Sequence, residues 1–265
     1  MPSSEEARFE FGQNWSEFSK KINETEVLQA VDGLIKLLPE NFIPQGKTFL
    51  DIGSGSGLHS VAAAKLGFSK ITCTDYDQNS VATTKINADK FNVQGSITAF
   101  QDDILNSELK ETFDVVYSWG VLHHTGHMWD AIESAAQRVK KGGTFVIAIY
   151  TKTKFCGMWK VIKKIYCKSP KFIQKIMGYA YHFIRSFRQV LNGEIFKSYK
   201  NERGMNRFYD SIDWLGGYPY ESASKDEIIE SLEKNFDLQK SFRTEPGLGF
   251  LGTGCAEYTF TGLCS

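Results

Sequence analysis

The sequence predicts an open α/β fold: a mostly parallel sheet with helices on both faces. Three observations lead there. Thr48 to Gly57 reads T-F-L-D-I-G-S-G-S-G, an apolar run that ends in glycines at alternate positions and opens into the helical segment Leu58 to Leu66. Between Phe49 and Tyr150, strand-like runs alternate with helical periodicity, a pattern that right-handed crossovers turn into a parallel sheet. Phe113-Asp-Val-Val-Tyr-Ser118 is apolar on both faces, as a central parallel strand must be.

Bulk properties narrow the field. The 265 residues suffice for one large domain or a domain with an insertion, and 42% hydrophobic with 14% aromatic content supports a sizeable core. A formal net charge of zero argues against bulk affinity for nucleic acid. The start, Met1-Pro-Ser-Ser-Glu-Glu, is polar and acidic, unlike a secretory leader, and no apolar run reaches the roughly 18 residues of a spanning helix. Five scattered cysteines without a C-x-x-C pattern read as reduced thiols in a cytoplasm. His123, His124 and His127 lack cysteines or acids at ligand spacing, so no metal site is expected.

Taken in order, Asn23 to Leu38 has the apolar spacing of a helix, with Asn23 as its N-cap. After the glycine loop and its helix, Ser69 to Thr74 is a second strand ending at Asp75-Tyr76-Asp77, and Asp77 caps a helix from Gln78 to Phe91. Gly95 to Gln101 is a third strand and Phe113 to Ser118 a fourth. A helix from Met128 to Val139 follows, then a Lys140-Lys141-Gly142-Gly143 turn and a fifth strand, Thr144 to Tyr150. Ser224-Lys-Asp-Glu227 matches a capping box opening a helix to about Asn235. Phe236 to Phe242 and Ala256 to Thr261 read as a closing strand pair, joined by a glycine-rich segment near the sheet's rim.

The glycine loop calls for a ligand, because a strand ending in glycines lets backbone approach one closely. A dinucleotide fingerprint wants G-x-G-x-x-G, but Leu58 stands where the third glycine belongs. Asp51 also has no task beside phosphates, whereas its carboxylate suits a ligand bearing an ammonium group. Asp75, about twenty residues beyond the loop, can accept hydrogen bonds from ribose hydroxyls. Asp103, or its neighbour Asp102, can accept the adenine amino proton, with the Ile104 N–H reaching a ring nitrogen.

Asp51-x-Gly53-x-Gly55-x-Gly57, Asp75, Asp103-Ile104, the F-D-V-V strand and the K-K-G-G turn resemble the class I S-adenosylmethionine-dependent methyltransferases, in order and spacing, over about Phe49 to Tyr150. F-G-x-N-W, Y-S-W-G-V-L-H-H-T-G and D-W-L-G-G-Y-P-Y-E further resemble a bacterial subgroup of no defined substrate, the type 12-like methyltransferases. The resemblance implies a Rossmann-like, seven-stranded, mostly parallel sheet, S-adenosylmethionine as cofactor and S-adenosylhomocysteine as product. It implies cofactor contacts from Asp51, Gly53, Ser54, Gly55, Gly57, Asp75, Tyr76, Asp103, Ile104, Ser118 and Trp119, with Trp15 in a lid. The expected organisation is an N-terminal helical cap (1–45), a cofactor-binding core (46–150), a basic helical insertion over the substrate (151–222) and a C-terminal helix and strand pair (223–265).

Methyl transfer from a sulfonium is an in-line displacement, and a hydroxyl acceptor calls for a general base. His123 and His124 follow the fourth strand, where the methyl should point, and an imidazole titrating near neutrality suits the task, with His124 favoured. Candidate substrate contacts are Phe11, Asn14, Arg203, Tyr209, Asp213, Trp214, Tyr220 and Glu221, in segments rich in polar, aromatic and glycine residues. From Lys152 to Arg207, fourteen Lys/Arg face two acids, beside two apolar helical stripes. Such a segment packs on the core or on a second copy, attracts an anionic substrate, or lies against a membrane surface. The expected activity is O-methylation of a small polar metabolite, sugar-linked or phosphorylated, as in a surface-polysaccharide precursor. An N-methyltransferase acting on a small amine and a non-catalytic cofactor-binding protein are the alternatives.

Overall fold

The computed structural model describes residues 19, 22–191 and 207–263. Side chains 188–191, 207–210 and 213 are also outside the description.

The element order is α1 (Glu24–Leu37), β1 (Thr48–Ile52), α2 (Leu58–Leu66), β2 (Lys70–Asp75), α3 (Gln78–Lys90), β3 (Ile97–Gln101) and β4 (Phe113–Trp119). A 3-10 turn (Leu122–His124) leads to α4 (Met128–Ala136) and β5 (Val139–Tyr150). Then come α5 (Cys156–Lys168), α6 (Lys171–Leu191), α7 (Arg207–Gly216), α8 (Lys225–Leu232), β6 (Phe236–Phe242) and β7 (Cys255–Gly262). The strands form one seven-stranded sheet in the order β3-β2-β1-β4-β5-β7-β6. β1 to β5 are mutually parallel, and β7 pairs antiparallel with both β5 and β6. The expected mostly parallel, doubly covered sheet is the observed one.

Alternation builds the two core layers. On β1, Phe49 packs on one face with Val61, Phe68 and the α1 residues Val27 and Leu34. Leu50 and Ile52 pack on the other with Ile132 of α4 and Ile228 of α8. The helix starts read from the sequence are observed. Asn23 and Glu26 form a full capping box, Asp77 accepts the Asn79 N–H, and Ser224 and Glu227 form a second box.

The Lys140-Lys141-Gly142-Gly143 stretch is not a separate turn, as expected, but part of β5. Helix α4 stops at Ala136 and β5 begins at Val139. The ladder to β4 jumps from Phe113↔Val139 to Val115↔Thr144, so the lysines and glycines bulge out of the sheet, with Gly142 at φ +67°. The bulge brings Lys140 Nζ to 2.8 Å from Asp114, whose carboxylate also accepts the Thr48 N–H and hydroxyl. Burial alone would raise the Asp114 carboxyl, but the bonds from Lys140 and Thr48 outweigh it and hold it well below the usual carboxylate range.

The inserted helices have their own small core, made of Trp159, Tyr166, Tyr181, Trp214, Leu215 and Tyr220. Among the described residues, no helix is long and apolar enough to cross a membrane.

Candidate active site

Because β1, β2, β4 and β5 are parallel, their carboxyl ends share one edge, and the candidate residues gather there. The glycine loop leaves β1 at this edge. Gly53 and Ser54 donate their N–H groups to the Thr74 carbonyl at 2.7 and 3.0 Å, which pins the loop to the end of β2. Gly53, Gly55 and Gly57 lie at φ +75°, +55° and +74°, a region that L side chains rarely enter. A Cβ on Gly53 would also overlap the Val121 side chain, and one on Gly57 would come within 2.8 Å of Thr84. Ser54 pairs its hydroxyl with Thr84 at 3.0 Å.

Asp75 stands where a ribose acid should. Its Oδ2 accepts the Gly55 N–H and its Oδ1 the Asp77 N–H, both at 2.9 Å, so the acid ties the glycine loop to the start of α3. Burial pushes its carboxyl up to about 6, against the pull of those N–H bonds. Tyr76 beside it is 56% exposed. With Phe100, Asp102, Asp103 and Leu109, Tyr76 lines an open pocket of about 460 Å³. Asp103 accepts from the Leu105 N–H at 3.1 Å and the Asn106 side chain at 3.0 Å, while the Ile104 side chain is in the core.

Several expected contacts turn inward. The Asp51 carboxylate does not face the open loop: it is buried beneath α2, accepting from Ser60 Oγ at 2.5 Å. Ser60 in turn accepts from the Cys73 thiol at 3.1 Å. Burial, opposed by the Ser60 bond and reinforced by the charge of Asp75, pushes the Asp51 carboxyl up to about 7. Ser118 is buried too, its hydroxyl donating to the Ile52 carbonyl as a β4–β1 tie. The Trp119 indole is held aside by a 2.9 Å bond to Glu257 on β7.

His123 and His124 occupy the 3-10 turn directly after β4, with their ring centroids 4.3 Å apart. His123 is fully buried, 4.0 Å from the Tyr150 ring. His124 Nδ1 lies 2.8 Å from the Pro219 carbonyl. A carbonyl only accepts, so Nδ1 carries the proton and Nε2 holds the lone pair. The expectation that this ring titrates near neutrality is corrected by its surroundings. Burial first, then the charge of Lys163, push His124 down to about 3, against the pull of the Pro219 carbonyl, so the ring is neutral.

Lys163 was not anticipated from the sequence. It is fully buried on α5 and donates to the Trp214 carbonyl. Its ammonium lies 3.8, 5.1 and 5.4 Å from the ring centroids of Trp214, Tyr220 and Tyr150. A Cβ on Gly217 would stand 3.2 Å from both Lys163 Nζ and His124 Nε2, so glycine is what lets the two groups meet there. The available signal was a lysine four residues after Trp159 and three before Tyr166, on the apolar stripe of α5.

Three of the proposed substrate residues have structural partners. Trp214 and Tyr220 belong to the insertion core, with the Tyr220 hydroxyl 3.3 Å from Cys156 Sγ. Glu221 accepts the Met128 N–H at 2.9 Å and so caps α4 from 93 residues away. Tyr209 and Asp213 lie on α7, with their side chains outside the description. Phe11, Asn14, Trp15 and Arg203 lie outside the described residues altogether.

An open sheet with a left-handed glycine loop and a β2 acid at its carboxyl edge defines a nucleoside-binding, Rossmann-like domain. Residues 50–145 match the family described as a methyltransferase domain, in keeping with the resemblance to class I S-adenosylmethionine-dependent methyltransferases. Ribosomal protein L11 methyltransferase of Staphylococcus aureus is 24% identical over 171 residues, 60% of this chain and 53% of that protein. The chain thus spans about half the length of the curated relatives it matches. Magnesium protoporphyrin IX methyltransferase from Synechocystis PCC 6803, with bound S-adenosylhomocysteine, has a similar fold. Its TM-score is 0.55 at 16% identity, over 89% of this chain and 84% of that one. The N-methyltransferase NodS from Bradyrhizobium japonicum WM9 aligns with a TM-score of 0.51 at 12% identity, over 90% and 84% of the two chains.

Proposed function

We propose that this protein transfers the methyl group of S-adenosylmethionine to a hydroxyl of a small polar acceptor. The observation that carries the reading is the Asp75 carboxylate bridging Gly55 and Asp77 at the carboxyl edge of the sheet, the edge at which the His123–His124 turn also follows β4. With two lone pairs on each oxygen, Asp75 keeps acceptor capacity for both ribose hydroxyls while it holds the loop. In this reading Tyr76 and Asp103, which line one pocket, flank the adenine end, and the left-handed glycine loop receives the methionine portion. The methyl group then points toward the turn after β4.

The hydroxyl reading rests on His124. A neutral ring with its lone pair on Nε2 accepts a hydrogen bond from an alcohol and aims the alcohol's own lone pair along the displacement line. Taking the proton outright is harder: a ring held at about 3 rather than 6.5 is a weaker base by about 5 kcal/mol. The S–CH3 bond therefore breaks first, releasing the neutral thioether, and the resulting oxonium, a far stronger acid than this imidazolium, then passes its proton to His124 Nε2. The excess of Lys and Arg in residues 152–207 supports an anionic acceptor, sugar-linked or phosphorylated.

Thermal stability with S-adenosylhomocysteine and with NADH, on wild type and Asp75→Ala, tests the cofactor half. At 100 times its Kd a ligand adds about 2.7 kcal/mol. Stabilisation by the adenosyl compound alone, lost in the variant, supports the reading; stabilisation by NADH alone overturns it. Labelled methyl donor with panels of alcohols and amines then tests the acceptor atom, and transfer confined to amines would reject the hydroxyl.

A further inference from the structure

We infer that the outer face of α5 and α6 docks on a lipid bilayer bearing anionic headgroups. Helix α6 is apolar on two sides. Inward, Tyr181 is buried and Met177 packs against the insertion core. Outward, Phe172, Ile176, Tyr179, Phe183 and Phe187 repeat every three or four residues along one stripe, each at least half exposed. On α5, Val161 and Ile165 are exposed in the same manner, at 58% and 55%. The inward residues make the core of the unit, and among the described residues none of the outward stripe belongs to it.

Charge selects the occupant. Lys152 to Leu191 contains ten Lys/Arg and no Asp or Glu, leaving 21 Lys/Arg against 31 acids in the rest of a chain that is neutral as a whole. Lys160, Lys168, Lys171 and Lys175 are exposed beside the apolar stripe. An acid-free apolar face edged with lysines fits acyl chains below and anionic headgroups around them. A second copy seated on the same face would set two acid-free surfaces against each other. Exposed phenylalanines offer nothing to a phosphate backbone, which excludes a nucleic acid duplex.

A loop with two further exposed apolar side chains is tied to the inner side of the same helices. The Trp159 indole donates to the Gly249 carbonyl and the Tyr181 hydroxyl to the Leu251 carbonyl, which fastens the loop between β6 and β7 onto α5 and α6. Fastened in this way, it leaves Leu248 79% and Phe250 56% exposed. The interior of the same unit holds Lys163 beside His124, so a docked protein keeps its candidate site next to the bilayer.

Co-sedimentation of the full chain with vesicles tests this without any assay of methyl transfer. Phosphatidylcholine vesicles and phosphatidylcholine–phosphatidylglycerol vesicles are compared at low and high salt, on wild type, Ile176→Glu/Phe183→Glu and Lys171→Glu/Lys175→Glu. Wild type is expected to pellet with the anionic vesicles and to be released by salt. Each double variant should lose roughly tenfold or more in partitioning, with an unchanged melting temperature, because every substituted side chain is exposed. Absence of pelleting on anionic vesicles, or equal pelleting of all three proteins, overturns the proposal. A wild-type dimer that the Ile176→Glu/Phe183→Glu variant converts to monomer, without vesicle binding, makes the face a contact between copies and overturns it equally.

Discussion

His124 donates from Nδ1 to the Pro219 carbonyl at 2.8 Å, and that bond fixes which nitrogen is left for a substrate. An asparagine amide at this position can reproduce the Nδ1 donor, and a glutamine carbonyl the Nε2 acceptor. His124→Asn is therefore expected to keep stability while losing about 10²-fold in kcat/KM through loss of acceptor positioning. His124→Gln should keep more activity and lose more stability. Equal activity of wild type and the asparagine variant would remove the ring from the mechanism.

The pH profile follows from the same ring. With His124 at about 3, kcat/KM should show no acid limb near 6.5. For stability the sign is fixed by proton counting. Between about 3 and 6.5 the unfolded chain holds a proton on this group that the folded one lacks, so the His124 contribution is complete above 6.5 and is lost as pH falls. Difference melts of wild type and His124→Asn between pH 4 and 7 measure it.

Asp51 has the opposite sign. Its folded carboxyl is raised to about 7, so below that value the folded state binds a proton that the unfolded chain releases near 4. Its contribution makes the protein less stable as pH rises from 4 to 7, by an upper bound of about 4 kcal/mol. Asp51→Asn keeps an oxygen for Ser60 and removes the titration, so the variant should lose this slope. An unchanged slope in chemical denaturation across that range would refute the assignment.

Asp75 ties pH to cofactor affinity. Ribose hydroxyls donate to an ionised carboxylate, and this one is raised to about 6. Affinity for S-adenosylhomocysteine is expected to climb between pH 5 and 7 and then level, while Asp75→Asn binds weakly at every pH. Calorimetry at fixed ionic strength distinguishes the two curves.

The fold was legible where local chemistry dictates it. Asn23, Asp77 and Ser224 cap helices because their side chains reach backbone N–H groups two or three residues away. Gly53 and Gly57 announce a loop because only glycine fits their angles and contacts. What the sequence does not reveal depends on partners distant in it. Glu221 was read as a substrate contact, yet its carboxylate belongs to the start of α4. Ser118 was read as a cofactor contact, though its hydroxyl crosses to β1. Trp214 and Tyr220 looked like loop binders, but they form a core with Trp159 that their own segment does not reveal.

Gly53→Ala separates backbone strain from side-chain space. The variant places an L side chain at φ +75°, costing about 1–2 kcal/mol, and also sets a methyl against Val121. Adding Val121→Ala clears the space and leaves the angle. The double variant should regain part of the stability and little of the cofactor affinity, because the loop still cannot hold its turn. Full recovery of binding would mean that crowding, not backbone conformation, makes glycine necessary there.

Lys163→Met removes an ammonium from among three rings while keeping much of its length. The Trp214 carbonyl loses its donor, at a cost of about 1–3 kcal/mol. His124 loses the nearby positive charge, the second cause of its low titration, but keeps the first, burial. Its titration should therefore move up from about 3 without reaching 6.5, and an acid limb should enter the kcat/KM profile. The His124 Cε1–H resonance followed against pH measures the shift directly. A resonance that titrates identically in wild type and Lys163→Met would show that the amine only fills space, and the coupling between the insertion helix and the turn after β4 would be one of packing alone.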